Sequence, residues 1–527
     1  MKPTQPGIEG LSNELIRLIL DQIEPDPDKT VPIDRRQFLS VESFDRPPPS
    51  TRGSLRDIGR FRLTCRRFAE LGAPLLFTRV AARFSRKGLQ KLEQLAGWPH
   101  LARHVRKFSY LVPYFYQIGG EVRLSLQGAG DAQFRSELSR LHRKMEEQEK
   151  IIASREDERI LREAIRSFTS LQLVQLLRVT DAEDASILSF IRQHEELRQF
   201  VDLQWPPACS HGSQTIGSAL LQSNGSCSRF SSPMLSPQSA EFLATHTPQS
   251  FPSLAARLTC LTLHFDDGND LDQKMSELSN LFKTVFSTAV NMQAVHIGFP
   301  SHRPLSLPLQ DVFHNVTWKS LVAFGVQGWK LHADEIIDLA LRHRDRLKGL
   351  RLRDVLLKDG SMWKDVLGTL RDSMWRLEWV SLRRIGYATH FDELWLAAGA
   401  EVPDDPPGGE SDSESTDEDE DPMVGSGTFQ GNGTNGFHHD SSADEGFNSS
   451  DDSSDDENGM ESTRMDFPPL NSPVTPASSA PWCNCNGRGH IDSADDLGDD
   501  GTTVSNAKRK VWEKWVVRRC PEHSESW

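Results

Sequence analysis

Six times between residues 171 and 382 the chain repeats three apolar residues at positions i, i+3 and i+5. The copies are Leu171, Val174 and Leu176; Leu258, Leu261 and Leu263; Met292, Val295 and Ile297; Leu321, Phe324 and Val326; Leu347, Leu350 and Leu352; and Leu377, Val380 and Leu382. Side chains alternate along an extended segment, so the last two members of each triplet share one face. A degenerate copy with Leu197 and Phe200 falls between the first two. After Leu258 the copies recur at roughly the 20 to 35 residue interval of stacked repeats. Helical patterns fill several gaps, at 271–290, 333–343 and 362–370. Strand and helix are therefore expected to alternate.

Two stretches break this order. Residues 207–253 are rich in Ser, Gln, Gly and Pro, and residues 401–507 in Asp, Ser, Gly and Asn. Both carry too little apolar surface to offset the entropy of ordering the chain, so both are expected to be disordered. The formal net charge of -15 is concentrated in the second stretch, in runs such as Asp417 to Asp421 and Asp455 to Glu457. Beyond it, Val511, Trp512, Trp515, Val516 and Val517 stand beside Lys508, Arg509, Lys510, Arg518 and Arg519, a short basic and aromatic element at 508–527.

Upstream, Leu11, Leu15, Leu18 and Ile19 fall at helical spacing, with Ile16, Leu20 and Ile23 thickening the stripe. A Pro-rich insert, 25–54, separates this helix from a second apolar stretch holding Leu55, Ile58, Phe61, Leu63, Cys65, Phe68 and Leu71. A charged helix at 131–168 has a narrow apolar stripe of Leu138, Leu141 and Met145, as in a coiled-coil arm.

Several function classes have no support. Phosphate-binding Gly-x-x-x-x-Gly-Lys, Gly-x-Ser-x-Gly and His-Glu-x-x-His are all missing from the sequence, so no enzyme is expected. Cys483, Cys485, Cys520 and His523 offer four zinc-type donors, but Cys483 and Cys485 are too close for a usual structural pair, and no metal or cofactor is assigned. Arg79, Arg83, Arg86 and Lys87 form a basic run with slight aromatic interleaving, which argues against nucleic acid. Seven scattered cysteines make no disulfide framework. With no signal-peptide core at Met1 and no apolar run near 18 to 20 residues, an intracellular protein, cytoplasmic or nuclear and without membrane contact, is expected.

The segment from Leu11-Ser12-Asn13-Glu14-Leu15-Ile16 through Arg62-Leu63-Thr64-Cys65-Arg66-Arg67-Phe68 to Pro74-Leu75-Leu76-Phe77 resembles an F-box. Ser12, where the family usually has proline, and the Pro-rich insert depart from the pattern. The resemblance implies a helical bundle that binds the Skp-type adaptor of an SCF ubiquitin ligase, and through it a cullin. Leu11, Leu15, Ile16, Ile19, Leu20, Leu63, Cys65, Phe68 and Leu71 would make that contact. The triplets look like irregular leucine-rich repeats, and the whole is similar to filamentous-fungal F-box proteins. That resemblance implies an unknown protein target held by outward residues, with Trp329, Arg351, Arg353, Arg383 and Arg384 as candidates because Trp and Arg dominate interface energies.

The expected fold class is a helix-rich α/β chain: an F-box-like helical bundle at 8–80, a helical connector at 81–170, a leucine-rich-repeat-like solenoid at 171–400 and a disordered acidic tail. The expected function is substrate recognition in an SCF-type ligase. A non-ligase repeat scaffold and a nucleic-acid- or zinc-binding protein stand as alternatives.

Overall fold

The computed structural model describes residues 8–23, 55–118, 132–178, 182–194, 201–223, 225–246, 251–265, 270–391, 491 and 493–518. All of them belong to one unit. The chain opens with helices α1 (Asn13–Ile23), α2 (Leu55–Arg62) and α3 (Arg66–Phe77). Strand β1 (Arg79–Arg83) follows α3 after one residue, then α4 (Arg86–Ala96), α5 (Pro99–Ala102), β2 (Lys107–Val112) and β3 (Phe115–Ile118). Next come α6 (Ala132–Ser154), α7 (Glu156–Ser167), β4 (Leu173–Arg178), α8 (Ala182–Gln193), β5 (Val201–Gln204) and α9 (Trp205–Ser223). Strand β6 (Arg229–Leu235), α10 (Pro237–His246), α11 (Phe251–Arg257) and β7 (Cys260–Phe265) lead to α12 (Leu271–Glu277) and α13 (Ser279–Thr288). The last part runs β8 (Ala294–Gly298), α14 (Leu309–Phe313), β9 (Ala323–Leu331), α15 (Ala333–Arg342), β10 (Gly349–Leu357), α16 (Trp363–Ser373), β11 (Trp379–Arg383), β12 (Gly386–Tyr387) and, after residue 491, α17 (Asn506–Val516).

Ten of these strands form one parallel sheet in the order β1-β2-β4-β6-β7-β8-β9-β10-β11, with β12 paired to β10. Strands β3 and β5 make a separate antiparallel pair. Parallel neighbours need a crossover, and the interleaved helices supply it.

Register explains the two faces. Val80, Phe108, Val174, Phe230, Leu261, Val295, Phe324, Leu350 and Val380 lie side by side across the sheet. This apolar side packs on the helices in two clusters that Phe230 borders: Phe108 and Val174 meet Leu89 of α4, Ile160 of α7 and Ile216 of α9, and the row from Leu261 to Val380 meets Phe286 of α13, Phe313 of α14, Ile336 of α15 and Trp363 of α16. One residue further along each strand the row is Ala81, Ser109, Gln175, Ser231, Thr262, His296, Gly325, Arg351 and Ser381, polar but for Ala81 and Gly325.

This architecture corrects the expected one. A single mostly parallel sheet with interleaved helices is an α/β fold, and it replaces the N-terminal helical bundle followed by a leucine-rich-repeat-like solenoid. Helix α3 runs into β1 with Thr78 alone between them, so sheet structure begins where a helical connector was expected, and β1 and β2 both lie within or at the edge of 81–170. The charged helix is no free arm. It breaks at Arg155, φ 52°, and its stripe of Leu138, Leu141 and Met145 is buried against Tyr116, Ile187 and Phe190.

Residues 207–253, expected to be disordered, carry most of α9, then β6, α10 and the start of α11. Their small polar residues serve close packing. A Cβ at Gly212 would stand 2.9 Å from Val112 Cγ2 and 3.1 Å from Leu176 Cδ1, so α9 lies on the sheet at a distance that no larger residue permits. The hydroxyls of Ser213 and Thr215 donate to the carbonyls of Cys209 and His211 at 2.6 and 2.8 Å, which satisfies them inside the protein.

Most of the stretch at 401–507 lies outside the described residues, but its end is ordered structure. A short 3-10 turn at Ala494–Leu497 packs on α16, and α17 packs on β11. Trp512 and Trp515 are buried, and their indole N–H groups donate to Leu497 O and Ile491 O at 3.0 and 2.8 Å. Glu513 accepts the Leu382 amide at 2.5 Å, occupying a donor of the last strand that would otherwise face outward as an open edge.

Candidate functional site

Helix α1 has two apolar stripes, and the chain itself covers one of them. Ile16 and Leu20, a turn apart, are fully buried in a small cluster with Ile58, Phe68 and Leu71. Leu15, Leu18 and Ile19, at i, i+3 and i+4 on another side, are 48%, 58% and 38% exposed. Leu63, in the turn between α2 and α3, is 87% exposed.

The three helices are held at fixed positions. Arg67 of α3 donates from Nε to Asn13 Oδ1 at 2.8 Å and from Nη2 to Leu11 O at 2.5 Å, which ties α3 to the start of α1. Phe61 and Phe68 stack at 4.3 Å, joining α2 to α3. The Arg62 guanidinium lies 4.8 Å from the centre of the Phe77 ring and donates to Ala69 O at 3.1 Å. An apolar side chain gains roughly 1.5 to 3 kcal/mol on full burial, so a helix face with three large apolar residues in water favours association with an apolar groove.

The nine residues singled out in the sequence divide between surface and interior. Leu15, Ile19 and Leu63 are exposed, Leu11 and Cys65 are half-buried, and Ile16, Leu20, Phe68 and Leu71 are interior. The second group builds the face that the first presents. Leu18, absent from that set, belongs to the exposed stripe, and its spacing from Leu15 was the signal for it.

The far part of the sheet holds the second candidate surface. Of the five residues assigned there, Arg383 and Arg384 reach the surface, whereas Trp329, Arg351 and Arg353 are 0%, 2% and 8% exposed. Trp329 lies against Phe299 and Phe313 and donates to Leu307 O at 2.7 Å, so it is a core residue and makes no outward contact. Arg351 is covered by the Trp379 ring, 5.8 Å away.

Beside the arginines two histidines lie on this polar side, His296 in the row itself and His264 two residues past Thr262 on β7. His264 and His296 have ring centres 5.0 Å apart, and each ring lies across a glycine of the next strand, Gly298 and Gly325, where a Cβ would come within 2.4 and 2.5 Å of ring atoms. His296 is wholly buried, and neither ring nitrogen has a hydrogen-bond partner among the described residues. Burial holds it well below the ordinary histidine value, and the nearby positive groups of His264, Arg351 and Arg353 lower it further. At neutral pH this ring is uncharged, and the row is a packed polar layer.

Among the described residues no group of three or more His, Cys, Asp or Glu is placed to hold a metal ion. Cys483, Cys485, Cys520 and His523 lie outside the described residues. No described helix is long and apolar enough to cross a membrane.

No protein-family model matches the chain, and a search of curated proteins finds none that matches it.

Proposed function

We propose that this chain is a non-catalytic substrate-recognition subunit of an SCF-type ubiquitin ligase. Its N-terminal helices dock on a Skp-type adaptor, and through it on a cullin, while the surface around Arg383 and Arg384 contacts a protein target. The observation that carries this reading is the second apolar stripe of α1, Leu15, Leu18 and Ile19, left in water beside the buried stripe of Ile16 and Leu20. A helix that is apolar on two sides needs a second groove. The resemblance of the surrounding sequence to an F-box names the kind of groove. The mechanism is positional: holding the target near the transfer machinery raises its effective concentration, and other subunits do the chemistry.

The test is co-purification from cell extract of tagged full-length protein and of a Leu15→Asp, Ile19→Asp variant. Both positions are exposed, so the variant is expected to fold, with an unchanged circular dichroism spectrum. The expected result is adaptor and cullin with the wild type, and loss of both with the variant. Folded wild-type protein that brings down neither sinks the ligase reading and leaves a repeat-free interaction scaffold in its place.

A further inference from the structure

Between α9, α10, α11, α13 and the strands β6 and β7 lies a cavity of about 130 Å³. Its wall is made by large apolar side chains, among them Leu220, Phe230, Leu258, Leu263, Phe282 and Phe286. Among the described residues that line it, Ser213 and Ser239 alone have polar side chains, and both hydroxyls are engaged elsewhere. Ser213 Oγ donates to Cys209 O at 2.6 Å, and Ser239 Oγ lies 2.7 and 2.8 Å from the hydroxyls of Ser210 and Ser236.

Those two facts decide what the space suits. Water needs two to four polar partners to be held, and this wall offers at most two hydroxyls, both already bonded within the protein, so the cavity disfavours water. A charged or hydrogen-bonding ligand would lose its bonds to solvent without replacement. Volume excludes a drug-sized molecule, since such ligands occupy pockets of roughly 300 to 1,000 Å³. A cavity on the order of 150 Å³ lined by Leu, Ile and Phe takes up benzene or xenon. Access is present as well: Leu254 of α11 and Leu281 and Val285 of α13 line the cavity and are only half-buried, so it approaches solvent between these helices.

We infer that this cavity is a binding site for a small uncharged apolar molecule, a single aromatic ring or a hydrocarbon of similar size. Such a ligand would join α9, α10, α11 and α13 to the sheet and so stabilise the segment at 207–253. The site is separate from the α1 face and independent of the ligase reading.

Toluene is the probe, and thermal unfolding of the full-length protein followed by circular dichroism is the measurement. The wild type is expected to unfold at a temperature higher by roughly 2 to 4 °C at saturating toluene. Ala255→Phe, which fills the space from α11, should keep the spectrum of the folded protein and lose that rise. Val285→Trp fills it from the half-buried rim and makes the same test if Ala255→Phe does not fold. A wild type whose midpoint does not move, or a rise of equal size in a folded filled variant, overturns the proposal.

Discussion

Arg384 grips the carboxylate of Asp354 with two bonds, Nε to Oδ1 at 2.6 Å and Nη2 to Oδ2 at 3.0 Å, and both residues hold left-handed backbone, φ 50° and 49°. They stand at equivalent places, since Arg353 pairs with Arg383 in the preceding register position. Gln327 Nε2 also donates to Asp354 Oδ2 at 3.2 Å, and Gly328, φ 63°, precedes the pair Trp329 and Val355 on the other side. Three adjacent strands thus turn at one line.

Asp354→Ala should therefore be costly. It removes a 6% exposed carboxylate, leaves Arg384 and Gln327 without that acceptor and places alanine in left-handed backbone, a loss of about 1 to 3 kcal/mol. Asp354→Asn tolerates that backbone and keeps part of the bonding, so it should lose less. Urea unfolding of the two variants checks the order, and equal losses would mean that the backbone conformation contributes nothing.

The same line explains what the sequence disclosed and what it hid. All six apolar triplets place their last two members on strands of the sheet, so the alternation of strand and helix was legible. Three further copies of the spacing, Phe77, Val80 and Ala82, then Val105, Phe108 and Tyr110, then Cys227, Phe230 and Ser232, place their last two members on β1, β2 and β6 and are less legible. Small or polar last members obscured two of them, and basic flanks the third. Trp329 would face outward only if period-two alternation continued past Gly328, φ 63°. A left-handed residue resets the phase, so Trp329 and Leu331, like Val355 and Leu357 after Asp354, face the core. Arg351 and Arg353 do lie opposite the apolar row, as alternation requires, but their neighbours cover them. The disorder expected at 207–253 failed because the Ser, Gly and Ala of α9 fit a narrow gap.

Helix α17 should be essential to the last strands. Trp512 is 1% exposed within the main core, and Trp512→Ala should cost about 3 to 5 kcal/mol through lost burial and the lost bond to Leu497 O. Hydrogen exchange would then be expected to speed up first in β11 and α16, which α17 contacts. Unchanged protection there would show that the tail only rests on the sheet.

Acid should weaken the protein through its buried histidines. Burial lowers His296 and His343 from the ordinary value of 6.5, so on unfolding each takes up a proton that it refuses in the folded state. Their contribution is fully present above about pH 6.5 and falls away as the pH drops below it, with a slope approaching 1.4 kcal/mol per pH unit per histidine. His296→Leu should flatten the acid limb of the stability profile below about pH 6.5. A profile as steep as that of the wild type would place the acid sensitivity on other groups.

Thiol labelling gives an independent reading of the α1 face. Cys227 is buried and its thiol is pushed up to about 11, chiefly by burial, so at pH 8 only about one molecule in a thousand carries the reactive thiolate. Cys209 and Cys260 are buried too, whereas Cys65 is half-buried at the start of α3. In a protein whose Cys483, Cys485 and Cys520 are serine, iodoacetamide should modify Cys65 first and leave the other three intact until unfolding, as read by mass spectrometry of the peptides. Adding a purified Skp-type adaptor should slow the reaction at Cys65, because a partner seated on Leu15 and Ile19 would close off the start of α3, which Arg67 ties to Leu11 and Asn13. Labelling of Cys65 at the same rate with saturating adaptor would mean that the adaptor does not sit on this face.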